Sequence, residues 1–179
     1  MKLRIAFALL LIATNVSAAP ATLAPLLDSI AERVSIADQV ALSKWDSRKA
    51  VEDRAREQDV IASVRAQAAN YKLSPDVAEQ FFAAQIEANK LVQYTHLSDW
   101  HWQGKAPDAP RPDLVGQIRP QLDQLQKRLL QQLADFSPER SNPACPQWVA
   151  QAVHEPLNEP LLQIAMIRAT GELCTQTNQ

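Results

Sequence analysis

Apolar residues in this chain recur every three or four positions, and no window alternates them with polar residues as a half-buried strand would. Leu23, Leu26, Leu27, Ile30, Val34, Ala37 and Ala41 would share one face of a single helix. Only three glycines, Gly104, Gly116 and Gly171, fall within 179 residues, whereas Ala, Leu and Gln are abundant. These are strong helix formers. The pattern predicts an all-α, single-domain helical bundle of about six helices.

Its boundaries can be read along the chain. The first helix begins near Pro25 and runs through Ser43 or beyond; the second runs from about Asp53 to Tyr71. "LSPD" at 73–76 starts a third, with Ser74 as N-cap and Pro75 at the first helical position. That helix reaches about Trp102, and the proline-rich "GKAPDAPRPD" at 104–113 follows it. A fourth spans roughly 114–135, or starts at Pro120. Two shorter helices, near 146–154 and 158–173, complete the chain, with no internal repeat and no interdomain linker.

The first residues stand apart from this fold. Lys2 and Arg4 precede "IAFALLLIA" at 5–13, an apolar run too short to span a bilayer, and "VSA" at 16–18 has the small residues a signal peptidase reads. The expectation is a signal peptide over 1–18, cleavage after Ala18 or one residue later, and a domain over 19–179 exported to the periplasm or secreted. Removing Lys2 and Arg4 takes the balance from 18 basic and 20 acidic residues to 16 and 20, a net charge of −4. That sign argues against nucleic acid or an anionic membrane as partner. Any anion must be held by a local cluster. Cys145 and Cys174 are an even pair in an exported chain, the pattern of a disulfide. Free thiols, or a metal shared with a distant His, are the alternatives, although no CxxC or HxxxH spacing accompanies them.

Several polar residues lie where apolar ones belong. On the wheel of the first helix, Arg33 and Lys44 border the apolar stripe, nearly in line three turns apart. Snorkelling of long basic stems would explain either alone. In the third helix Gln85, Asn89 and Gln93 sit in the middle of the arc made by Val77, Phe81, Phe82, Ile86 and Val92, with Glu87 and Lys90 outside it. Buried carboxamides are costly without partners. Either they bond to one another and fix the helix register, or they face a polar pocket inside the bundle. At the start of the second helix, Asp53 can cap the backbone. Arg56 and Glu57 are adjacent and point apart, so at least one should face solvent; Arg48, Lys49 and Arg54 are read as solvent-side charge. The cations Arg33, Lys44 and Arg56 together with the amides suit a small dianion. No nucleophile–base pair is present.

At these residues the chain resembles the exported, gamma-class members of the all-helical AroQ-type chorismate mutases. The likeness rests on Arg33, Lys44 eleven later, then Asp53 and Arg56, and on "FFAAQIEANKLVQ" at 81–93 with Gln85, Asn89 and Gln93. "AERVSIADQVALSKW", "NPAC" ending at Cys145 and the C-terminal cysteine extend it over nearly the whole mature chain. The resemblance implies an intramolecular Claisen rearrangement of the small molecule chorismate to prephenate, without cofactor, metal or covalent intermediate. It implies Lys44, Gln93 and Arg56 as catalytic residues, with Arg33 and Arg56 on the substrate carboxylates and Lys44 and Gln93 on the ether oxygen. Glu57 would accept from the ring hydroxyl, Asp53 would position the start of the site, and Asn89 would hold a carboxylate or orient its neighbours. A further cation is expected from the fourth helix, best matched by Lys127, with Arg128 beside it. The resemblance also allows a homodimer with the pocket inside each chain.

Other readings explain less. His96 and His101, five apart, point about 140° from each other on a helix and make a poor metal pair. The "SDWHW" run at 98–102 is read as packing Trp100 or Trp102 at the helix end. A non-catalytic periplasmic binding or chaperone-like protein would account for export, helices and disulfide, but not for carboxamides centred in an apolar stripe. An inactive homologue that binds diacids is a third reading.

Overall fold

Residues 18–154 and 159–175 are described here by a computed structural model. The expected signal segment 1–18, except its last residue, lies outside them. Each helix ends where local chemistry stops it. The first, α1 (Leu23–Ser47), closes on Arg48 in the left-handed conformation, φ 55°. The second, α2 (Arg54–Ala68), is capped at its start by Asp53, whose carboxylate accepts from Arg56 N, and Glu57 returns the bond by accepting from Asp53 N. A short 3₁₀ turn, Ala69–Tyr71, finishes it. The third, α3 (Pro75–Gln103), begins at Ser74, whose hydroxyl accepts from Val77 N, and ends at Gly104, φ 73°, where a left-handed residue releases the chain.

The proline-rich strap then crosses to the fourth helix. Arg111 ties it down by donating to Asp46 on α1 (2.8 Å) and to the carbonyls of Ala109 and Pro107. A π turn, Leu114–Ile118, leads directly into α4 (Arg119–Phe136). Asp113 caps this turn by accepting from Val115 N and Gly116 N, each at 3.0 Å. A Cβ on Gly116 would lie 2.6 Å from Asp113 Oδ2, so a side chain there would push the capping carboxylate aside. Two shorter helices, α5 (Cys145–His154) and α6 (Pro160–Thr170), complete the fold.

The long helices α1 and α3 pack on each other, with α2 and α6 against α3 and α4 against α1. Phe81, Phe82, Ile30, Leu129, Leu133 and Phe136 are fully buried where they meet. Each such side chain contributes about 1.5–3 kcal/mol. A smaller cluster joins Ala41, Leu42 and Trp100, with Trp45 edge-on to Trp100 at 6.0 Å. Trp100 is therefore the tryptophan that packs the helix end; Trp102 is 92% exposed. His96 stacks on Trp100, and its Nε2 lies 2.8 Å from Asp38 Oδ1, which raises the imidazole pKa.

Cys145 and Cys174 form the disulfide, with Cα atoms 5.9 Å apart. Arg140 is buried beside it and donates to the carbonyls of Leu173 (2.9 Å) and Glu172 (3.1 Å), while its own carbonyl accepts from Thr175 N. These bonds fix residues 172–175 against the turn before α5. Closing a loop of this size contributes roughly 3–4 kcal/mol in the chain-entropy model. Reduction should lower the melting temperature while folded protein keeps its turnover, because α5 and α6 contribute nothing to the cleft described below. Melting curves and rates measured with and without reductant check this; immediate loss of catalysis in still-folded protein would contradict it.

Candidate active site

A cleft opens between α1, α2, α3 and α4. Its floor is built from residues that the helices bury. Arg33 and Lys44 on α1 are 6% and 7% exposed, and Gln93 on α3 is 4% exposed. Its mouth lies between α2 and α4, where Asp53, Arg56, Arg119 and Asp123 are partly exposed. Val40, Val51, Val60, Ile86, Leu114 and Leu122 supply an apolar lining.

Arg33 does not snorkel. Its guanidinium lies 5.9 Å from the centre of the Phe82 ring, and its Nε is buried without a hydrogen-bond partner in the protein. Burial, and then repulsion from Arg56, lower its pKa to about 10, partly offset by Asp123; it stays charged at neutral pH. Burial also lowers the Lys44 ammonium, while Asp53 acts in the opposite sense, favouring the charged form.

The amides form a directed chain. Asn89 Nδ2 donates to the Arg33 carbonyl at 3.2 Å, and Gln93 Nε2 donates to Asn89 Oδ1 at 2.6 Å. Asn89 thus orients Gln93 and ties α3 to α1 at the level of Arg33. Gln93 Nε2 also donates to the Asn89 carbonyl, at 3.4 Å, and its Oε1 is buried without a hydrogen-bond partner in the protein. Gln85 lies in the buried stripe as expected but not in a pocket. It is fully buried and donates to the Ala169 carbonyl on α6 at 2.6 Å, so it joins helices and does not line the cleft.

At the mouth, Arg56 and Glu57 both line the cleft, contrary to the expectation that one would face water. Arg56 is long enough to reach across to α4 and donates to Asp123 at 2.8 Å. Glu57 accepts from Lys90 at 3.3 Å. Arg48, Lys49 and Arg54 are exposed, as expected.

Lys127 is a correction. It is exposed and does not line the cleft, because α4 turns that position away from α1; Arg128 pairs with Glu32 on the outer surface. The cation that α4 supplies is Arg119, at its first residue, with Asp123 and Gln126 one and two turns on. Sequence reading missed these three and Lys90. A signal existed: with Leu122 at zero, Gln126 falls at about 40° and Arg119 at about 60°, near the Leu125, Leu129 and Leu133 stripe, whereas Lys127 falls at about 140°. Lys90 stands at the edge of the α3 arc, next to Ile86, and bridges Glu57 and Glu87.

The histidines are engaged elsewhere, His96 with Asp38 and His101 Nδ1 at 2.5 Å from the Leu97 carbonyl. Counted together, the cleft lining holds five cations (Arg33, Lys44, Arg56, Lys90, Arg119) and three carboxylates (Asp53, Glu57, Asp123), an excess of two positive charges. In a chain of negative net charge this is the local cluster that an anion requires.

Comparison with known proteins gives the same direction. The family profile described as chorismate mutase type II matches residues 24–94. A secreted chorismate mutase of Mycobacterium tuberculosis is 32% identical over 157 residues, covering 85% of this chain and 78% of the relative. One from Mycolicibacterium smegmatis is 34% identical over 123 residues, covering 69% and 67%. The crystal structure of a chorismate mutase from Burkholderia phymatum superposes with a TM-score of 0.84 at 42% identity, covering 87% of this chain and 97% of that one. With its helices, its disulfide and its cationic cleft in place, this chain belongs to the all-helical, type II chorismate mutase family.

Proposed function

We infer that the cleft binds chorismate as a dianion and rearranges it to prephenate. The observation that carries this reading is the charge excess of two, set around a buried amide donor inside an apolar lining. The reaction breaks a C–O bond as a C–C bond forms, and negative charge grows on the ether oxygen. The site must fold the enolpyruvyl arm over the ring and stabilise that charge. The first task is orientation; the second is preorganised electrostatics in a dry pocket. Neither requires an acid–base couple or a cofactor.

The roles follow the depth of the cleft. Arg33 and Arg56 take the two carboxylates, where a guanidinium can offer paired N–H donors. Lys44 and Gln93 meet at the ether oxygen. Glu57 accepts from the ring hydroxyl, held by Lys90 and by the Asp53 backbone. Asn89 orients Gln93, and Asp53 sets the start of α2. Arg119 takes the part first assigned to Lys127. Arg119→Ala should therefore lower kcat/KM roughly tenfold to a hundredfold, whereas Lys127→Ala should stay within about twofold of wild type. Steady-state kinetics on the two variants decide between them, and the reverse order would return the role to Lys127.

The direct test mixes purified protein with chorismate and follows loss of its ultraviolet absorbance. No loss at micromolar protein would favour a non-catalytic binder; tight binding of a bicyclic transition-state mimic without turnover would mark an inactive homologue. We also propose that residues 1–18 are a cleaved signal and that the mature enzyme, 19–179, acts in the periplasm or outside the cell, as the secreted relatives support. A homodimer is compatible with a cleft lined from one chain; sedimentation would establish it.

A further inference from the structure

The two helices that frame the mouth exchange charges reciprocally. From α2 come Asp53 and Arg56; from α4 come Arg119 and Asp123. Arg56 Nη2 donates to Asp123 Oδ1 at 2.8 Å, and Arg119 Nη2 lies 3.6 Å from Asp53 Oδ2. Each helix thus offers one cation and one carboxylate, a turn apart, to the other. Such pairs contribute little to stability when exposed, and Asp123 has a side-chain exposure of 57%. Their position is more informative than their energy, because both cations line the substrate cleft.

We propose that Asp123 is a positioning residue, a built-in carboxylate that holds the Arg56 guanidinium over the cleft before substrate arrives. The inference rests on the proposed role of Arg56. The physical need is plain. Arg56 has a side-chain exposure of 32%, sits near the N-terminus of α2, and has many rotamers open to it on the solvent side. The Arg56–Asp123 contact uses one terminal nitrogen and one carboxylate oxygen, which leaves the other N–H groups of the fork to a substrate carboxylate. Asp123 lies close enough to affect Arg33 as well, favouring its charged form. The arrangement has a cost. A negative group at the mouth repels a dianion, so the anchor that orients Arg56 also weakens ground-state binding.

Those opposed effects make a test that a merely structural residue would not pass. Asp123→Ala releases Arg56 and should lower kcat roughly tenfold or more, since small misplacements of a binding group are expensive. Asp123→Asn keeps an acceptor for Arg56 and removes the charge; it should hold kcat within about twofold of wild type and lower KM for the dianion. In an Arg56→Ala background, Asp123→Ala should lower kcat no further, because its effect on kcat passes through Arg56. Melting temperatures should stay near wild type throughout.

Three results would overturn the inference: wild-type kcat in Asp123→Ala, no rescue of kcat by Asp123→Asn, or full additivity of the kcat losses with Arg56→Ala. If instead Arg56→Ala itself retains wild-type turnover, the role assigned to Arg56 fails, and that outcome is read separately from the Asp123 single variants.

Discussion

Lys44→Ala should lower kcat/KM for chorismate by at least about a hundredfold while leaving the protein folded. Lys44 is buried on α1, and it lines the same cleft as Gln93. A donor aimed at charge that grows in the transition state is worth about 2.7–4 kcal/mol in a water-poor site, and its removal costs about 10²–10³ in rate. The fold should tolerate the change. Burial already penalises the ammonium, so deleting it removes a desolvation cost along with the packing of its stem. Arg56→Ala should show a loss of the same order, through the substrate carboxylate instead of the ether oxygen. Steady-state rates with a melting curve on each variant check both; near-normal turnover in either would take that residue out of the site.

Gln93→Glu should convert a flat pH profile into one that falls as pH rises. A carboxamide donates at every pH. A carboxyl donates only when protonated, and once ionised it sets a negative charge against the growing charge of the ether oxygen. The variant should therefore be most active on the acid side of its carboxyl pKa and lose about tenfold per pH unit above it. Over two units that is roughly a hundredfold loss, against little change in wild type. Rates measured from pH 5 to 8 read this directly, and a flat profile in the variant would mean that residue 93 does not touch the ether oxygen. The short bond from Gln93 to Asn89 sharpens the expectation, because an ionised carboxylate there would face the Asn89 oxygen and force that amide to turn.

The parts of this site that could be read from sequence are those where chemistry conflicts with periodicity. Arg33, Lys44 and Gln93 stood out because charged and polar groups bordered or interrupted apolar stripes, and all three are buried in the cleft. Helix ends were legible at Ser74–Pro75 and Gly104 because caps are local. Gln85 shows the limit of the signal that marked Gln93. A wheel shows that a carboxamide is buried, but not which neighbour covers it, and over Gln85 that neighbour is α6. Arg119 lies at the first residue of α4, at the edge of the leucine stripe, where the wheel places it near the buried face but does not show which cleft that edge meets. Asp123 had no signal of its own, since only the fold brings it to Arg56, 67 residues away in sequence.

The capped turn before α4 has a consequence for how such a chain can vary. Asp113 holds Val115 and Gly116 by their backbone, and a side chain on Gly116 would push that carboxylate aside, so the geometry that delivers Leu114 and Arg119 is reset at residue 113. Insertions or deletions within 105–110 would act on the packing of Ala106 and Ala109 against the Trp100 cluster and on the carbonyls that Arg111 holds, all of it before that reset. A single residue added between 119 and 125 would rotate Arg119 by about 100° relative to the buried Leu125, Leu129 and Leu133 and carry its charge out of the cleft.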